Sequence, residues 1–366
     1  MKAAVLDKVG EKFTIQEIEI ATPVGREVLV QVKASGLCHS DLHIAENDFG
    51  FAMPSVLGHE ISGIVTEIGP DVTEFAAGDH VVGCLVSHCG HCGHCSQCAS
   101  GRTFMCLNPQ ETQRTADQPP RLTRNGVSVT QFSELGGFAE FSLAHENNLV
   151  VVSKEIPFDK AALLGCGVVT GAGAVINTAS VRVGETVAVI GCGGVGLAAI
   201  QGAAIAGARR VIAIDLQPGK LELAKKFGAT DTVNPADGDV VEQVKALTGG
   251  VGVDHAFEVI GLKDTAMQAL AVLGQGGGAY LIGMQKPGTV LEIDPFGELL
   301  MQKKSIQGVY MGSTNFKLDI PLYADLYLQG RFNLDDLVSK TIPLEQINEG
   351  YDDLRKGEVA RSVIVF

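Results

Sequence analysis

The stretch Val187-Ala-Val-Ile-Gly-Cys-Gly-Gly-Val-Gly196 decides the fold of one half of this chain. Its first four residues are apolar and predict a buried strand, its glycines predict a tight turn, and an Ala-rich helix is predicted from Gly194 to Gly207. The next apolar run, Arg210 to Ile214, predicts a second strand that ends at Asp215. This order of strand, glycine turn, helix, strand and acid is typical of a dinucleotide-binding βαβ unit.

Each part of this motif has a physical role in binding a dinucleotide. Backbone amides at the N-terminus of the helix can bind the pyrophosphate, and Asp215 can bind the adenosine ribose hydroxyls. A carboxylate at that position would repel a 2′-phosphate, and no arginine follows it directly, so the motif favours NAD over NADP. Lys220 is placed to contact the same ribose. The predicted cofactor-binding residues of the turn are Gly191, Gly193, Gly194, Val195 and Gly196.

The pattern on either side of the motif divides the chain into two predicted domains. From residue 186 onward strands and helices alternate, which predicts a doubly wound parallel sheet. The first hundred residues carry short β-rich segments punctuated by glycine and proline. We therefore predict an α/β protein with a dinucleotide-binding domain at residues 168–310, inserted into a β-rich domain formed by residues 1–167 and 311–366. Residues 107–132 are polar and aperiodic, which predicts a long surface loop.

Composition excludes several classes of protein. A chain of 366 residues exceeds what one hydrophobic core usually organises, which agrees with two domains. Lys and Arg number 28 against 42 Asp and Glu, so the net charge of −14 makes nucleic acid and anionic membrane surfaces poor partners. No signal or membrane-spanning segment is evident from the start of the sequence, and we expect a soluble cytoplasmic protein. Nine cysteines in such a chain indicate metal binding or catalysis rather than disulfides.

The densest cysteine signal is Cys92-Gly-His-Cys95-Ser-Gln-Cys98, followed by Cys106. Three cysteines at intervals of three in a tight loop, with a fourth on the returning chain, can surround one tetrahedral zinc ion. A register that starts at Cys89 would place its fourth position at Thr103, so the array ending at Cys106 fits better. The alternative is a redox cluster of thiols without metal. We predict a closed, structural zinc site.

A second set of metal-ligating residues is spread along the sequence. Cys38, His59 and Cys166 provide two thiolates and one imidazole, which are the ligands of a catalytic zinc that keeps one position open. Taken singly, His59 is more often a hydrogen-bonded core residue, and Cys166 a small apolar residue. Their occurrence together with the dinucleotide motif favours the metal-binding interpretation.

With these three features in this order, the chain resembles the zinc-dependent medium-chain alcohol dehydrogenases over essentially its whole length. The resemblance rests on six matches: Gly58-His-Glu60, Gly78-Asp-His-Val81, the cysteine array, Gly191 to Gly196, Phe257-Glu-Val-Ile-Gly261 and Arg361-Ser-Val-Ile-Val-Phe366. Within the family the chain looks most similar to bacterial primary and aryl alcohol dehydrogenases. The resemblance implies a GroES-like catalytic domain beside a Rossmann domain, NAD as the cofactor, and two zinc ions per chain.

The resemblance also implies roles for single residues. Glu60 looks like the acid beside the catalytic zinc, and Asp41 like the carboxylate that orients the zinc-bound imidazole. Ser40 resembles the hydroxyl that contacts the substrate oxygen, and His43 the outer end of a proton relay, although spacing alone is also compatible with a turn-capping serine and a solvated histidine. The remaining positions that resemble cofactor contacts are His39, Lys220, Val259, Ile260 and Arg361.

Three functions compete on these observations. The first is a zinc-dependent alcohol dehydrogenase that oxidises primary alcohols, medium-chain or aromatic, to aldehydes. The second is a formaldehyde dehydrogenase acting on a thiol adduct. This function is disfavoured by Gln110, because the glutathione-dependent enzymes carry an arginine at that position. The third is a zinc- and NAD-binding protein with a regulatory or structural task. This function is disfavoured because a binding protein needs no open metal position. By resemblance we expect a homodimer, with a tetramer as the alternative.

Overall fold

The fold is described from a computed structural model covering residues 1–90, 93–357 and 360–366. The described chain divides into two compact units, Met1–Gly167 with Asn315–Phe366, and Val168–Thr314. Residues 311–314, which the sequence prediction gave to the β-rich domain, belong to the second unit. They do so because Gly312, at a positive φ of 61°, lies against the backbone of Val169, and Ser313 accepts a hydrogen bond from Thr178.

Nineteen strands occur in the described residues. In chain order they are β1 (Lys2–Leu6), β2 (Thr14–Glu17), β3 (Glu19–Ile20), β4 (Glu27–Gly36), β5 (Ser55–Val56), β6 (Glu60–Ile68), β7 (His80–Gly83), β8 (Leu122–Arg124), β9 (Val127–Gln131), β10 (Phe141–His145), β11 (Leu149–Val151), β12 (Thr186–Ile190), β13 (Arg210–Ile214), β14 (Asp231–Val233), β15 (Val253–Glu258), β16 (Leu273–Leu281), β17 (Ser305–Gly308), β18 (Lys340–Ile342) and β19 (Ser362–Val365).

The same residues form ten α-helical segments. These are α1 (His39–Glu46), α2 (Ser96–Ala99), α3 (Phe158–Leu163), α4 (Val169–Gly173), α5 (Gly194–Ile205), α6 (Pro218–Lys226), α7 (Val240–Leu247), α8 (Lys263–Ala271), α9 (Phe316–Leu328) and α10 (Ile347–Lys356). Short π-helical turns follow α3 at Leu164–Val168 and α4 at Ala174–Thr178.

The first unit contains two sheets and two apolar cores. One sheet has the order β2-β1-β5-β9-β8-β3, and the other has the order β11-β7-β6-β4-β19-β18, with β10 also paired to β4. The C-terminal strand β19 pairs antiparallel with β4, Val363 opposite Gly36, so the end of the chain closes the sheet that carries the metal-ligating segments. One core packs Phe138 and Tyr351 around Phe13, and the other packs Ile61 against Val81.

The second unit is a parallel sheet with helices, as the sequence predicts. Its strand order is β14-β13-β12-β15-β16-β17, and each described pairing in it is parallel. The strand β12 is buried at all five positions because it lies in the middle of the sheet, which explains its continuous apolar sequence. The mixed α/β fold and the Rossmann-like sheet are therefore confirmed.

One segment in the described residues is long and apolar enough to cross a membrane by length and composition. It runs from Phe158 to Thr178, and 83% of its most apolar window is buried inside the protein. The apolar character therefore matches core packing of this helix.

The segment at residues 107–132, predicted as a long surface loop, is largely exposed, but it is not irregular throughout. The strands β8 and β9 lie in this segment, and Arg114 and Arg121 reach the buried carboxylate of Glu27 on β4. Both arginines are 7% exposed, so the segment is anchored to the sheet by buried ion pairs. Polar composition did not reveal this anchoring because the two arginines find their partner in a distant strand.

Candidate active site and zinc-binding residues

The strand pairing of the first unit brings Cys38 and His59 together. On the antiparallel pair β4 and β6, Gly36 lies opposite Glu60, so Cys38, two residues after the end of β4, lies near His59, the residue before the start of β6. Cys38 is the N-cap of α1, and His59 immediately precedes β6. Cys166 arrives from the π-helical turn Leu164–Val168, a type of irregularity that often occurs at functional sites.

The ligand atoms of Cys38, His59, Glu60 and Cys166 lie within 4.8 Å of one another, and all four residues are buried. Nε2 of His59 lies 3.3 Å from Sγ of Cys166. Two thiols and an imidazole that converge in this way suit zinc, which prefers sulfur and nitrogen donors. The donor set therefore fits the predicted open zinc site.

Asp41 fixes the orientation of the His59 ring. Its Oδ1 atom lies 3.0 Å from Nδ1 of His59 and accepts a hydrogen bond of 3.0 Å from the backbone N–H of Gly58. A carboxylate on Nδ1 selects the tautomer in which Nε2 is free to bind a metal. Gly58 has a φ of 92°, which an L-residue rarely adopts, so glycine is required where the chain turns into β6.

Glu60 and Arg361 form a second buried pair behind the cluster. Oε1 of Glu60 lies 3.5 Å from Nη2 of Arg361 and accepts a hydrogen bond of 3.2 Å from Gly167 N–H. Burial raises the pKa of Glu60 to about 7, although the positive charge of Arg361 opposes this. A Cβ atom on Gly167 would lie 2.9 Å from Nη2 of Arg361, so the glycine provides the space for the guanidinium.

The protein environment shifts the pKa values of the cluster residues in different directions. A hydrogen bond from Cys166 holds the pKa of Cys38 well below its usual value, and the same bond with burial raises the pKa of Cys166. Burial opposes a charged His59, but Asp41 and Cys38 together raise the pKa of His59 well above its usual value. In these directions the negative charge lies on the thiolate of Cys38, beside the imidazole of His59.

The helix α1 carries the other residues predicted to act near the metal. Ser40 and His43 are half-buried, and His39 is exposed. The rings of His39 and His43, one helical turn apart, have centroids 6.4 Å apart. The predicted proton relay thus lies on one short helix that begins at Cys38.

Two phenylalanines near His59 were missed by the sequence prediction. The ring of Phe132 meets His59 edge to face with centroids 6.1 Å apart, and Phe51 meets Phe132 in the same manner at 5.3 Å. Phe132 is 8% exposed and Phe51 is 46% exposed, so an aromatic wall leads from the surface toward the metal-binding residues. No spacing rule connects residues so far apart in the chain.

Three of the cysteines predicted to form the closed zinc site converge in the described residues, together with Cys89. Cys89, Cys95, Cys98 and Cys106 have ligand atoms within 4.8 Å of one another. Cys92, the remaining predicted ligand, lies outside the described residues. The sequence prediction set Cys89 aside on spacing, and the predicted set that includes Cys92 stays a prediction.

The predicted nucleotide motif has the expected form in the second unit. The strand β12 leads through Gly191, at a φ of 103°, into α5, for which Gly193 is the N-cap. A Cβ atom added to Gly193 would meet nothing within 4 Å, whereas one added to Gly196 would collide with the carbonyl of Gly191. One glycine thus leaves the helix N-terminus accessible, and the other allows close packing of strand and helix.

Asp215 and the segment Val259–Ile260 flank the same turn. Asp215 accepts hydrogen bonds from the backbone N–H groups of Cys192 and Gln217, both at 2.9 Å. A Cβ atom added to Gly191 would lie 2.7 Å from Ile260 and 3.0 Å from Val259. Lys220 is half-buried on α6. The structure therefore brings the predicted cofactor-binding residues of this unit together around one glycine turn.

Comparison with known proteins gives matches along the whole chain. The family model described as "Alcohol dehydrogenase GroES-like domain" matches residues 25–154, and the one described as "Zinc-binding dehydrogenase" matches residues 194–326. S-(hydroxymethyl)glutathione dehydrogenase of Synechocystis sp. is 38% identical and covers 99% of both chains. NDMA-dependent alcohol dehydrogenase of Amycolatopsis methanolica is 38% identical over 100% of this chain and 98% of its own. The crystal structure of benzyl alcohol dehydrogenase from Acinetobacter calcoaceticus has a TM-score of 0.92 and 37% identity, covering 100% of this chain and 99% of its own.

Proposed function

The chain belongs to the zinc-binding alcohol dehydrogenase family, and we propose that it oxidises medium-chain or aromatic primary alcohols to aldehydes with NAD. The family implies zinc and a nucleotide cofactor. The single observation that carries the substrate proposal is the edge-to-face pair of Phe51 and Phe132 against the ligand candidate His59. Apolar aromatic walls favour substrates that carry an apolar chain or ring.

In this proposal, Cys38, His59 and Cys166 would hold the catalytic zinc, and a structural zinc would be held by Cys92, Cys95, Cys98 and Cys106. When bound, zinc supplies a Lewis acid that makes the alcohol hydroxyl a stronger acid, and the nicotinamide accepts the hydride. Asp41 keeps His59 in the metal-binding tautomer, since its carboxylate accepts from Nδ1. Glu60, whose pKa burial raises to about 7, pairs with Arg361 in the buried site.

The proton of the substrate leaves through α1. Ser40, next to the metal-binding Cys38, accepts it at Oγ as its own hydroxyl proton is released along the relay, and His43 takes up a proton there and passes one to solvent from its half-buried ring. The route is short because both residues lie in the first turns of the same helix. His39 and Arg361 are the residues of the first unit proposed to contact the cofactor.

Asp215 is predicted to control cofactor choice. Replacing Asp215 with glycine removes the carboxylate that repels a 2′-phosphate, so the ratio of kcat/KM for NADP to that for NAD should rise tenfold or more, on the order of 1.4 kcal/mol. Steady-state kinetics with both cofactors measure this ratio. Asp231→Asn is the control, because Asp231 pairs with Arg210 on the neighbouring strand. An unchanged ratio in the glycine variant would show that Asp215 does not discriminate between the two cofactors at the ribose.

The substrate proposal predicts a trend along a series of alcohols. Each buried methylene adds up to about 0.8 kcal/mol, so kcat/KM should increase from ethanol through butanol to hexanol and benzyl alcohol, by as much as roughly fourfold per carbon at first. Methanol should be a poor substrate. The assay follows NADH formation with and without a chelator. Phe51→Ala should reduce the preference for benzyl alcohol over ethanol, whereas equal efficiency across the series would contradict the apolar-pocket argument.

A thiol-adduct formaldehyde dehydrogenase is the second candidate. A relative named S-(hydroxymethyl)glutathione dehydrogenase favours it. Gln110 is exposed and uncharged, and so offers no cation for an adduct carboxylate. Addition of glutathione to the formaldehyde assay separates the two, since a strict requirement for the thiol would support the adduct-dependent enzyme.

The second unit offers a surface for assembly, and we propose a homodimer with the tetramer as the alternative. The strand β17 lies at an edge of the parallel sheet. Phe296, Leu300 and Met301, in the turn that precedes it, are each more than half exposed. An unpaired edge beside apolar side chains favours pairing with a second copy. The cytoplasmic location inferred from the sequence remains part of this proposal.

A further inference from the structure

The carboxyl group of Glu258 is buried at the end of β15, beside the glycine turn proposed to bind the cofactor. Glu258 is 0% exposed and lies opposite Ile190, the last residue of β12. The N–H of the next residue, Val259, donates to the carbonyl of Ile190 at 3.1 Å. An acidic side chain is rarely buried unless hydrogen-bond donors offset the cost of removing it from water. The donors that surround Glu258 therefore indicate what this side chain does.

One oxygen of this carboxyl group accepts three hydrogen bonds from the segment that follows β15. Oε1 of Glu258 accepts from the backbone N–H groups of Ile260 and Gly261, at 2.8 and 2.7 Å. It also accepts from Oγ1 of Thr265, at 2.8 Å, in the first turn of α8. Oε2 has no partner among the described residues. The hydrogen bonds of the carboxyl group thus join the end of β15 to residues 260–265.

The segment that Glu258 holds lies directly against the glycine turn. A Cβ atom added to Gly191 would lie 2.7 Å from Cγ1 of Ile260, and one added to Gly196 would lie 3.2 Å from Cγ2 of Val259. Ile260 is nevertheless 45% exposed, so part of its apolar side chain is accessible to a ligand beside the turn. The position of these two side chains therefore depends on the backbone that the carboxyl group binds.

Close backbone packing constrains the other side of the same segment. Gly261 has a φ of 89°, and a Cβ atom there would lie 2.6 Å from the carbonyl oxygen of Met284. A Cβ atom added to Gly283 would lie 2.1 Å from the backbone nitrogen of Gly261. The two main chains approach this closely only because both positions are glycine. Residues 259–261 are thus held between the end of β16 and the glycine turn, with Glu258 as the acceptor for two of their N–H groups.

We propose that Glu258 is a positioning residue for the cofactor, because its carboxyl oxygen holds Val259 and Ile260 in the binding arrangement before the cofactor arrives. The inference rests on the proposed binding of NAD to the second unit. A segment that must be ordered on binding lowers the affinity, since ordering costs conformational entropy. Loss of the acceptor oxygen should therefore weaken cofactor binding and leave the metal-binding residues of the first unit unaffected.

The affinity of purified, zinc-loaded variants for NADH tests the proposal. Glu258→Met keeps the length of the side chain but has no acceptor oxygen, so the Kd for NADH from fluorescence titration should rise roughly tenfold or more, about 1.4 kcal/mol. Glu258→Gln keeps an acceptor oxygen and should restore the Kd to within about threefold of wild type. In steady-state assays of Glu258→Met, the KM for NAD should rise while the KM for the alcohol and the zinc content stay at wild-type values.

Asp254→Leu is the matched control for loss of hydrogen bonds. Asp254 lies near the opposite end of β15, where its Oδ2 accepts from the backbone N–H and from Oγ1 of Thr186, both at 2.8 Å. This variant should keep the wild-type Kd for NADH. A wild-type Kd in Glu258→Met, or an equal loss of affinity in Glu258→Gln or Asp254→Leu, overturns the inference. A wild-type protein that does not bind NADH overturns the proposed function as well.

Hydrogen exchange in the cofactor-free enzyme tests the same role without removing the carboxyl group. Thr265→Val deletes one of the three hydrogen bonds and leaves the two from backbone N–H groups. In wild type, a peptide that covers residues 259–262 should be protected from exchange before any cofactor is added. Exchange of this peptide should be faster in Thr265→Val, whereas that of a peptide from the start of β15 should not change. Exchange in wild type as fast as in an unstructured peptide would contradict the inference.

Discussion

Cys166→Ser is expected to lower kcat/KM for benzyl alcohol by about a thousandfold or more, equivalent to roughly 4 kcal/mol of transition-state stabilisation. The reason is that a serine hydroxyl is a much weaker zinc ligand than a thiolate. Sγ of Cys166 lies 3.3 Å from Nε2 of His59, another ligand candidate. Zinc content should fall by one ion per chain, because the second group of thiols is separate from this one.

The fold should survive this substitution, which distinguishes loss of the ion from loss of the structure. Circular dichroism and thermal unfolding of Cys166→Ser should stay close to those of wild type. The matched control is Cys84→Ser, since Cys84 is also a buried cysteine of the first unit but belongs to neither described group of ligands. If Cys166→Ser kept both its zinc and its activity, the assignment of the catalytic ligands would be wrong.

Glu27→Gln is expected to lower the free energy of unfolding by about 3–5 kcal/mol at pH 7. The Glu27 carboxylate accepts hydrogen bonds of 2.8 Å from Nε of Arg114 and from Nε of Arg121. It is 3% exposed, and its neutral replacement would leave Arg114 without this carboxylate and Arg121 with only that of Glu134. Urea or thermal unfolding measures the loss. Glu46→Gln is the control, because Glu46 pairs with Arg355 in a half-exposed position, where such a pair is worth less than about 1 kcal/mol.

The stabilisation from Glu27 should also depend on pH in a defined direction. Burial opposes its charge, but hydrogen bonds from Arg114 and Arg121 lower the pKa of Glu27 below its usual value. A group with a lowered pKa in the folded state stabilises the protein above its unfolded pKa, near 4.3, and loses that contribution as the pH falls through the folded value. The difference between wild type and Glu27→Gln should therefore be constant above about pH 5 and shrink below it. A difference that grew on acidification would contradict this account.

Several features of the site followed from sequence because they are local. The turn at Gly191 follows directly from β12 and opens α5, and Asp215 follows the next strand, so chain order alone places them around one turn. Asp41 and His59 were placed by resemblance, and the 3.0 Å contact between them agrees with the proposed role of the carboxylate. In each case a motif of a few residues carries the geometry.

The sequence by itself determined the fold class, the family and the kinds of ligand atoms, because strand periodicity, glycine turns and clustered cysteines are properties of neighbouring residues. Only the tertiary structure decided which distant residues meet. Glu27 is 87 residues from Arg114, and the contact between them turned a predicted surface loop into an anchored segment. Phe132 reaches His59 through the packing of separate segments. Cys89 lies in the described group of thiols, where Asn147, 58 residues later, donates a hydrogen bond to its backbone carbonyl. Such contacts depend on how strands and loops pack in space, which no local spacing specifies.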